Sequence, residues 1–314
     1  MDLEAYVTPK TVQAIYDHYV KQRKSEHRPH LGGSQIGNEC ARALWYQFRH
    51  VDRAVFDGRQ LRLFETGDLA EARIVANLRA VGVTVWDRDP ETGKQIRYTA
   101  CDGHFALSLD GVGEGFAESS KPHTLEFKTM NEKNFQAMKK DGLQKSKPVY
   151  WAQCQIGMHL AELDRCAFIA VNKNTDEIYM ERVKYDAAEG MKLVAKAEGI
   201  IFAEKPPAKL NNDPSFYLCK FCDFRDVCHN GKVPEVNCRT CAHSTPERGG
   251  DGTWSCVLGK NMTPCAAHLF NPYAMPWEMT DAGPDWIEYT TQDGEVVRNH
   301  EGTSNKINAM WVPF

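Results

Sequence analysis

HFALSLD (residues 104–110) and HTLEFKT (residues 123–129) are short runs in which apolar and polar side chains alternate, and their polar members decide how the chain is read. Alternation sends successive strand side chains to opposite faces, so Glu126 and Lys128 share one face while Asp110 closes the preceding run. Two carboxylates at the ends of neighbouring strands make a cage for Mg²⁺ or Mn²⁺, hard ions that take oxygen ligands. A metal held there can activate a water near neutral pH and offset charge growing on a phosphate, as phosphodiester cleavage demands. Lys128 would orient that water. By itself the D…E-x-K spacing is weak, because an acid and a lysine alternate on many exposed strands.

Outward from these runs the periodicity alternates between helix and strand. Thr8 and Pro9 open a helix carrying Val12, Ile15, Tyr16, Tyr19 and Val20 at helical spacing. A second helix is expected after Asn38, with Cys40 in its first turn, and a third over about Leu61 to Leu78. VTVWD (83–87) and QIRYT (95–99) read as strands before the central pair. Two helices, 132–140 and 149–163, lead to the strands CAFIAVN (166–172) and EIYMERVKY (177–185) and a helix over 187–203. This order predicts an α/β fold, a mixed central sheet flanked by helices, with a cysteine-rich C-terminal metal-binding region. AEKPPAKLNNDPSF (203–216) reads as a linker. The expected division is an N-terminal helix (1–33), a core (34–230), a small cysteine module (231–272) and a polar C-terminal tail (273–314) that packs through Trp311 or not at all.

Of the 314 residues, 42% are hydrophobic and 25% charged, which excludes collagenous, largely disordered and membrane-spanning chains. The net charge of −4 supplies no global attraction to DNA, though a local basic patch still can. Lys139, Lys140, Lys145 and Lys147 form such a group, and Tyr150 and Trp151 beside them could stack on bases or pack in the core. No apolar run suits a membrane helix and MDLEAYVTPK has no signal-peptide core, so the expected location is cytoplasmic, that of a bacterial host if the chain is viral.

Over about residues 34–230 the chain resembles the PD-(D/E)XK nuclease superfamily, especially its lambda-exonuclease-like and RecB-like branches. Besides Asp110 and the Glu126/Lys128 strand, FETGDLAEARI (64–74) is similar to the family's early helical motif, with Gly67 and then Glu71 as a third acid. YWAQCQIGMHLAEL (150–163) resembles the glutamine helix, in which Gln153, with Gln155 as second choice, would face the lysine. Leu109 stands where the first motif has proline, and Gly157 where RecB-like members often have tyrosine. The resemblance implies a restriction-endonuclease-like core and a Mg²⁺-dependent DNA exonuclease acting on linear ends or single strands. It also implies viral or prophage recombination, with a recombination protein as partner. An endonuclease, or a non-catalytic DNA-binding protein on the same fold, are the alternatives.

The eleven cysteines fall into groups. CKFCDFRDVC (219–228) aims Cys219, Cys222 and Cys228 at one centre, with distant Cys40 as fourth ligand; four thiolates suit either a [4Fe–4S] cluster or zinc. This lone cysteine and later trio, with GSQIGNECARALWY (33–46), resembles iron–sulfur nucleases of the AddB type and of CRISPR adaptation, which favours iron–sulfur. Cys238, Cys241, Cys256 and Cys265, at C-x2-C-x14-C-x8-C, read as a zinc-ribbon-like Zn²⁺ site in which His243 or His268 could replace a thiol. Cys101, Cys154 and Cys166 read as small buried hydrophobes.

Overall fold

The computed structural model describes residues 8–23 and 27–311; the N-terminal residues 1–7, on which the reading against an export signal rests, lie outside them. The helices are α1 (Lys10–Gln22), α2 (Ala41–Phe48), α3 (Gly58–Ala80), α4 (Glu132–Asp141), α5 (Leu143–Ser146), α6 (Pro148–Ala161), α7 (Ala187–Ile201), α8 (Tyr217–Lys220), α9 (Arg225–His229) and α10 (Ser304–Asn308). The strands of the first 203 residues are β1 (Leu31–Gly32), β2 (Thr84–Trp86), β3 (Arg97–Ala100), β4 (Phe105–Ser108), β5 (Gly111–Glu114), β6 (His123–Met130), β7 (Arg165–Asn172) and β8 (Ile178–Lys184). They are followed by β9 (Ser244–Pro246), β10 (Trp254–Cys256), β11 (Glu278–Gly283), β12 (Trp286–Thr290) and β13 (Val296–His300).

The main sheet runs β2-β5-β6-β7-β8, mixed as expected: β6 and β7 are parallel and every other pair is antiparallel. A parallel pair needs a crossover, and α4, α5 and α6 supply it. Leu125, Phe127, Ala167 and Ile169 face Ile74 and Val75 of α3, while Phe168, Ala170 and Cys166 face Met138, Cys154 and Met158 of the crossover. Each fully buried Phe contributes about 1.5–3 kcal/mol. Glu126 and Lys128 share the crossover face, because they alternate with Phe127.

HFALSLD is not the neighbour of HTLEFKT. β4 pairs with β3 and β1 in a separate three-stranded sheet, and the strand beside β6 is β5. The chain changes sheets at Asp110 and Gly111. Gly111 has φ +155°, and a Cβ there would meet the Trp86 carbonyl oxygen at 2.9 Å, so glycine makes the step possible.

α1 begins directly after Pro9, ends at Gln22 and packs on α3. That approach is close enough that a Cβ at Gly58 would lie 2.3 Å from the Tyr16 carbonyl oxygen. α3 begins at a capping box between Asp57 and Gln60.

The expected polar tail is folded. β11, β12 and β13 form an antiparallel sheet, and Ile287, Tyr289, Val297 and Ile307 share one core with Val233, Leu269 and Phe270. No separate core therefore begins at residue 273. Trp311 does pack, its Nε1 donating to the Asn230 carbonyl at 3.4 Å beneath the Lys232 ammonium. This C-terminal region docks on the core: Arg239 donates to the carbonyls of Phe48 and Pro29, and Glu235 accepts from Arg53. Among the described residues no helix is long and apolar enough to cross a membrane.

Candidate active site and cysteine clusters

Four of the five expected catalytic side chains, Glu71, Asp110, Glu126 and Lys128, come together beside the sheet-switching point. The Asp110 carboxylate accepts a 2.6 Å hydrogen bond from the backbone N–H of Phe127, the residue between Glu126 and Lys128. Lys128 forms an ion pair with Glu126, whose exposure is only 3%. The Lys128 ammonium also lies 5.4 Å from the centre of the Tyr150 ring, in the first turn of α6. Gln153, buried at 7% exposure, lies one turn further along the same side of that helix. Gln155 serves the packing instead, its amide donating to the Lys184 carbonyl and accepting from the Asp186 N–H, which ties α6 to the start of α7.

Glu71 reaches the cluster from α3. Burial first, and then the Asp110 carboxylate, push its pKa up to about 7. Burial likewise raises Asp110 and Glu126, with Asp110 and Glu71 adding to the second effect. Burial pulls the Lys128 ammonium down, but the charges of Glu126 and Asp110 outweigh it and hold it above the ordinary lysine range. Three crowded carboxylates beside one ammonium, all three pushed toward protonation, form an oxygen donor set whose charged form a divalent cation would stabilise. Among the described residues no three acidic, cysteine or histidine side chains are closed to metal-ligand geometry as they stand. The fit to Mg²⁺ or Mn²⁺ is thus one of donor chemistry and placement.

Gly67 lies one turn before Glu71 on α3, and a Cβ there would meet nothing within 4 Å. Packing does not require this glycine. Of the lysines expected to hold DNA, Lys139 pairs with Glu177, Lys145 with Asp141, and Lys147 donates to Asn134. Such exposed ion pairs are weak enough to exchange for phosphate. Tyr150 is the residue whose position sequence reasoning left open; its place three residues before Gln153 was the available signal.

The members of each cysteine group line a common cavity without being closed to metal-ligand geometry. Cys40, at the N-cap of α2, lines one cavity with Cys219, Cys222 and Cys228. Cys238, Cys241, Cys256 and Cys265 line a second, with His243 and His268 beside them. His268 is engaged elsewhere, by Ser304 and the Asn237 carbonyl. Each quartet is a sulfur donor set that suits a thiophilic centre, and the thiols are free of disulfides. Cys154 and Cys166 are buried within the crossover core, and Cys101 is half-buried in the turn joining β3 to β4.

No protein-family model and no curated protein matches the chain. Solved structures do. The crystal structure of SSO0001 is similar at 14% identity with a TM-score of 0.42, over 71% of this chain and 98% of that one. An alkaline exonuclease from Laribacter hongkongensis is similar at 16% identity with a TM-score of 0.40, over 59% of this chain and 90% of that one. The same exonuclease in complex with dAMP has a TM-score of 0.39 at 16% identity, over 60% of this chain and 89% of that one.

Proposed function

We propose that this chain is a metal-dependent deoxyribonuclease that hydrolyses phosphodiester bonds from DNA ends, with Glu71, Asp110 and Glu126 as ligands of Mg²⁺ or Mn²⁺. The observation that carries the reading is the Asp110 carboxylate fixed on the backbone between Glu126 and Lys128. That bond brings three charged groups together on the central strand, β6, where the chain enters the main sheet. A divalent cation bound there supplies Lewis acidity toward the phosphate and acidifies a water. Lys128, held by Glu126 and backed by Tyr150, donates to the water or to a phosphate oxygen and offsets the charge that develops there. Gln153 on the facing helix positions lysine and substrate.

The two cysteine quartets are read as structural centres, a [4Fe–4S] cluster or zinc at Cys40, Cys219, Cys222 and Cys228, and Zn²⁺ at Cys238, Cys241, Cys256 and Cys265. The first joins α2 to a segment some 180 residues later, the kind of long loop whose closure constrains the unfolded chain most. A role in DNA-end processing for recombination fits an exonuclease of this kind.

The test is incubation of anaerobically purified protein with end-labelled linear DNA and with closed circles, in Mg²⁺, Mn²⁺ or chelator. Metal-dependent loss of linear DNA with circles intact is expected. Cutting of circles would replace the exonuclease with an endonuclease, and no cleavage of either by metal-replete, folded protein would overturn the reading.

A further inference from the structure

One cavity lined by described residues lies outside the carboxylate cluster and has no part in the chemistry above. It is an open groove of about 720 Å³ between the end of α1, the loop 52–56, α2 and the cysteine-bearing turn 217–224. Its rim carries apolar groups that a folded chain ordinarily hides: Phe221 is 81% exposed, Tyr217 61% and Val55 88%. Arg23 and Arg28 line it as well. Of its two acids, Asp52 is already neutralised by Lys232 at 2.6 Å, and its third arginine, Arg53, pairs with Glu235, so Asp223 stands against the guanidinium groups of Arg23 and Arg28.

Flat exposed rings next to guanidinium groups suit a ligand with stackable faces and negative charge. We propose that this groove is a docking track for single-stranded DNA. Bases stack on Phe221 and Tyr217, and Arg23 and Arg28 meet the phosphates. The volume holds a few unstacked nucleotides and is too narrow for a duplex. A peptide of purely apolar character would leave Arg23, which rests on the Phe56 ring, and Arg28 without an anionic partner, so charge complementarity favours nucleic acid.

The track also has a route to the carboxylate site. Gln35 and Asn38 line the groove as well. The turn that carries them is wedged on the first turn of α6, where a Cβ at Gly37 would lie 2.8 Å from Ala152 and Val149. Tyr150, the ring beside Lys128, belongs to that same turn of helix. A strand lying in the groove therefore leads toward the carboxylate cluster. This inference rests on the nuclease reading for its destination, and on the groove alone for its ligand.

The experiment measures fluorescence anisotropy of a labelled oligothymidylate and of a labelled hairpin duplex. Full-length protein carrying Lys128→Ala is used, so that binding is read without cleavage. Phe221→Ala and Arg28→Ala should each weaken oligothymidylate binding about tenfold. Phe221→Trp should retain it, and Arg28→Ala should also reduce the salt dependence. Hairpin affinity should be unchanged by either. Metal content and melting temperature are followed in parallel because Phe221 lies between Cys219 and Cys222; should Phe221→Ala lose metal, Arg28→Ala, on a different segment of the groove wall, decides if its own metal content is intact. Oligothymidylate affinity unchanged in both variants, or lost equally for the hairpin, overturns the groove and leaves the surface to a protein partner. Cleavage by the Lys128 enzyme with Phe221- and Arg28-independent binding refutes the groove alone. Groove-dependent binding without any cleavage refutes the nuclease alone.

Discussion

Asp110 and Phe127 are joined by a 2.6 Å hydrogen bond from the Phe127 backbone N–H to the Asp110 carboxylate, across the point where the chain leaves one sheet for another. The bond has two consequences. It fixes the register of the site relative to β6, and it holds a negative charge beside Glu126 and Lys128. Asn at this position keeps an acceptor oxygen but no charge, so the two consequences separate. Asp110→Asn should leave the melting temperature nearly unchanged and lower DNA cleavage by about 100-fold or more. Asp110→Ala should lose cleavage and also about 1–3 kcal/mol of stability, for the orphaned N–H. Full activity of Asp110→Asn in metal-titrated assays would remove Asp110 from the ligand set.

Lys128, its side chain 23% exposed, forms an ion pair with buried Glu126, and removing the lysine strands the carboxylate. Lys128→Met should abolish cleavage and destabilise the fold by an amount on the order of 3 kcal/mol. Adding Glu126→Gln should restore much of the stability and none of the activity. A denaturant midpoint for the double variant no higher than that of Lys128→Met would show that the pair is not the source of the loss.

Gly67 occupies the interior of α3 with open space around its Cα. Alanine there should raise stability by about 0.5–1 kcal/mol, the ordinary gain within an exposed helix. If DNA passes over this face one turn before Glu71, the added methyl should still reduce kcat/KM. A Gly67→Ala enzyme that is both more stable and as active as the parent would mean that substrate stays clear of this face.

The cysteine quartets make separable predictions. Cys228→Ser should remove the first centre, with loss of visible absorbance if it holds iron, and lower Tm by about 10 °C. Cys241→Ser should remove one equivalent of zinc while leaving the first centre loaded. Elemental analysis of the two variants reads both outcomes, and unchanged metal content in either would dismiss that quartet as a metal site.

The main sheet and most of its helices were legible because the apolar residues of β6, β7, α3 and α6 follow their periods without interruption. β5 was not: GVGE offers two glycines and one β-branched residue, and only its pairing with β2 and β6 makes it a strand. The C-terminal sheet was missed for a different reason. On β13 the inward positions are Val297 and Asn299, so the apolar alternation breaks at a buried amide. Asn299 accepts from the Phe270 N–H and donates to Ser304, partners that no pattern along one strand discloses. The carboxylates were found from motif order, while Asp110 as a sheet-switching residue needed the long-range pairing.

Acid sensitivity should come partly from two histidines outside the carboxylate cluster, His30 and His50. Burial, then Arg97 and Arg28, hold His30 down at about 4, and burial, then Arg239, holds His50 down at about 3, against an ordinary value of 6.5. Below that ordinary value the unfolded chain takes up protons that the folded chain refuses. Their contribution is therefore complete above about pH 6.5 and declines as pH falls through the interval down to the folded-state values. His50 adds a slope of up to about 1.4 kcal/mol per pH unit, and half-buried His30 less, because water screens its charge. His50 Nε2 is 2.9 Å from the Arg28 carbonyl, a bond that a glutamine amide can also donate. His50→Gln should thus flatten the fall in urea midpoint between about pH 6.5 and 4.5 relative to the parent. A parallel fall in both proteins would assign the acid sensitivity to carboxylates instead.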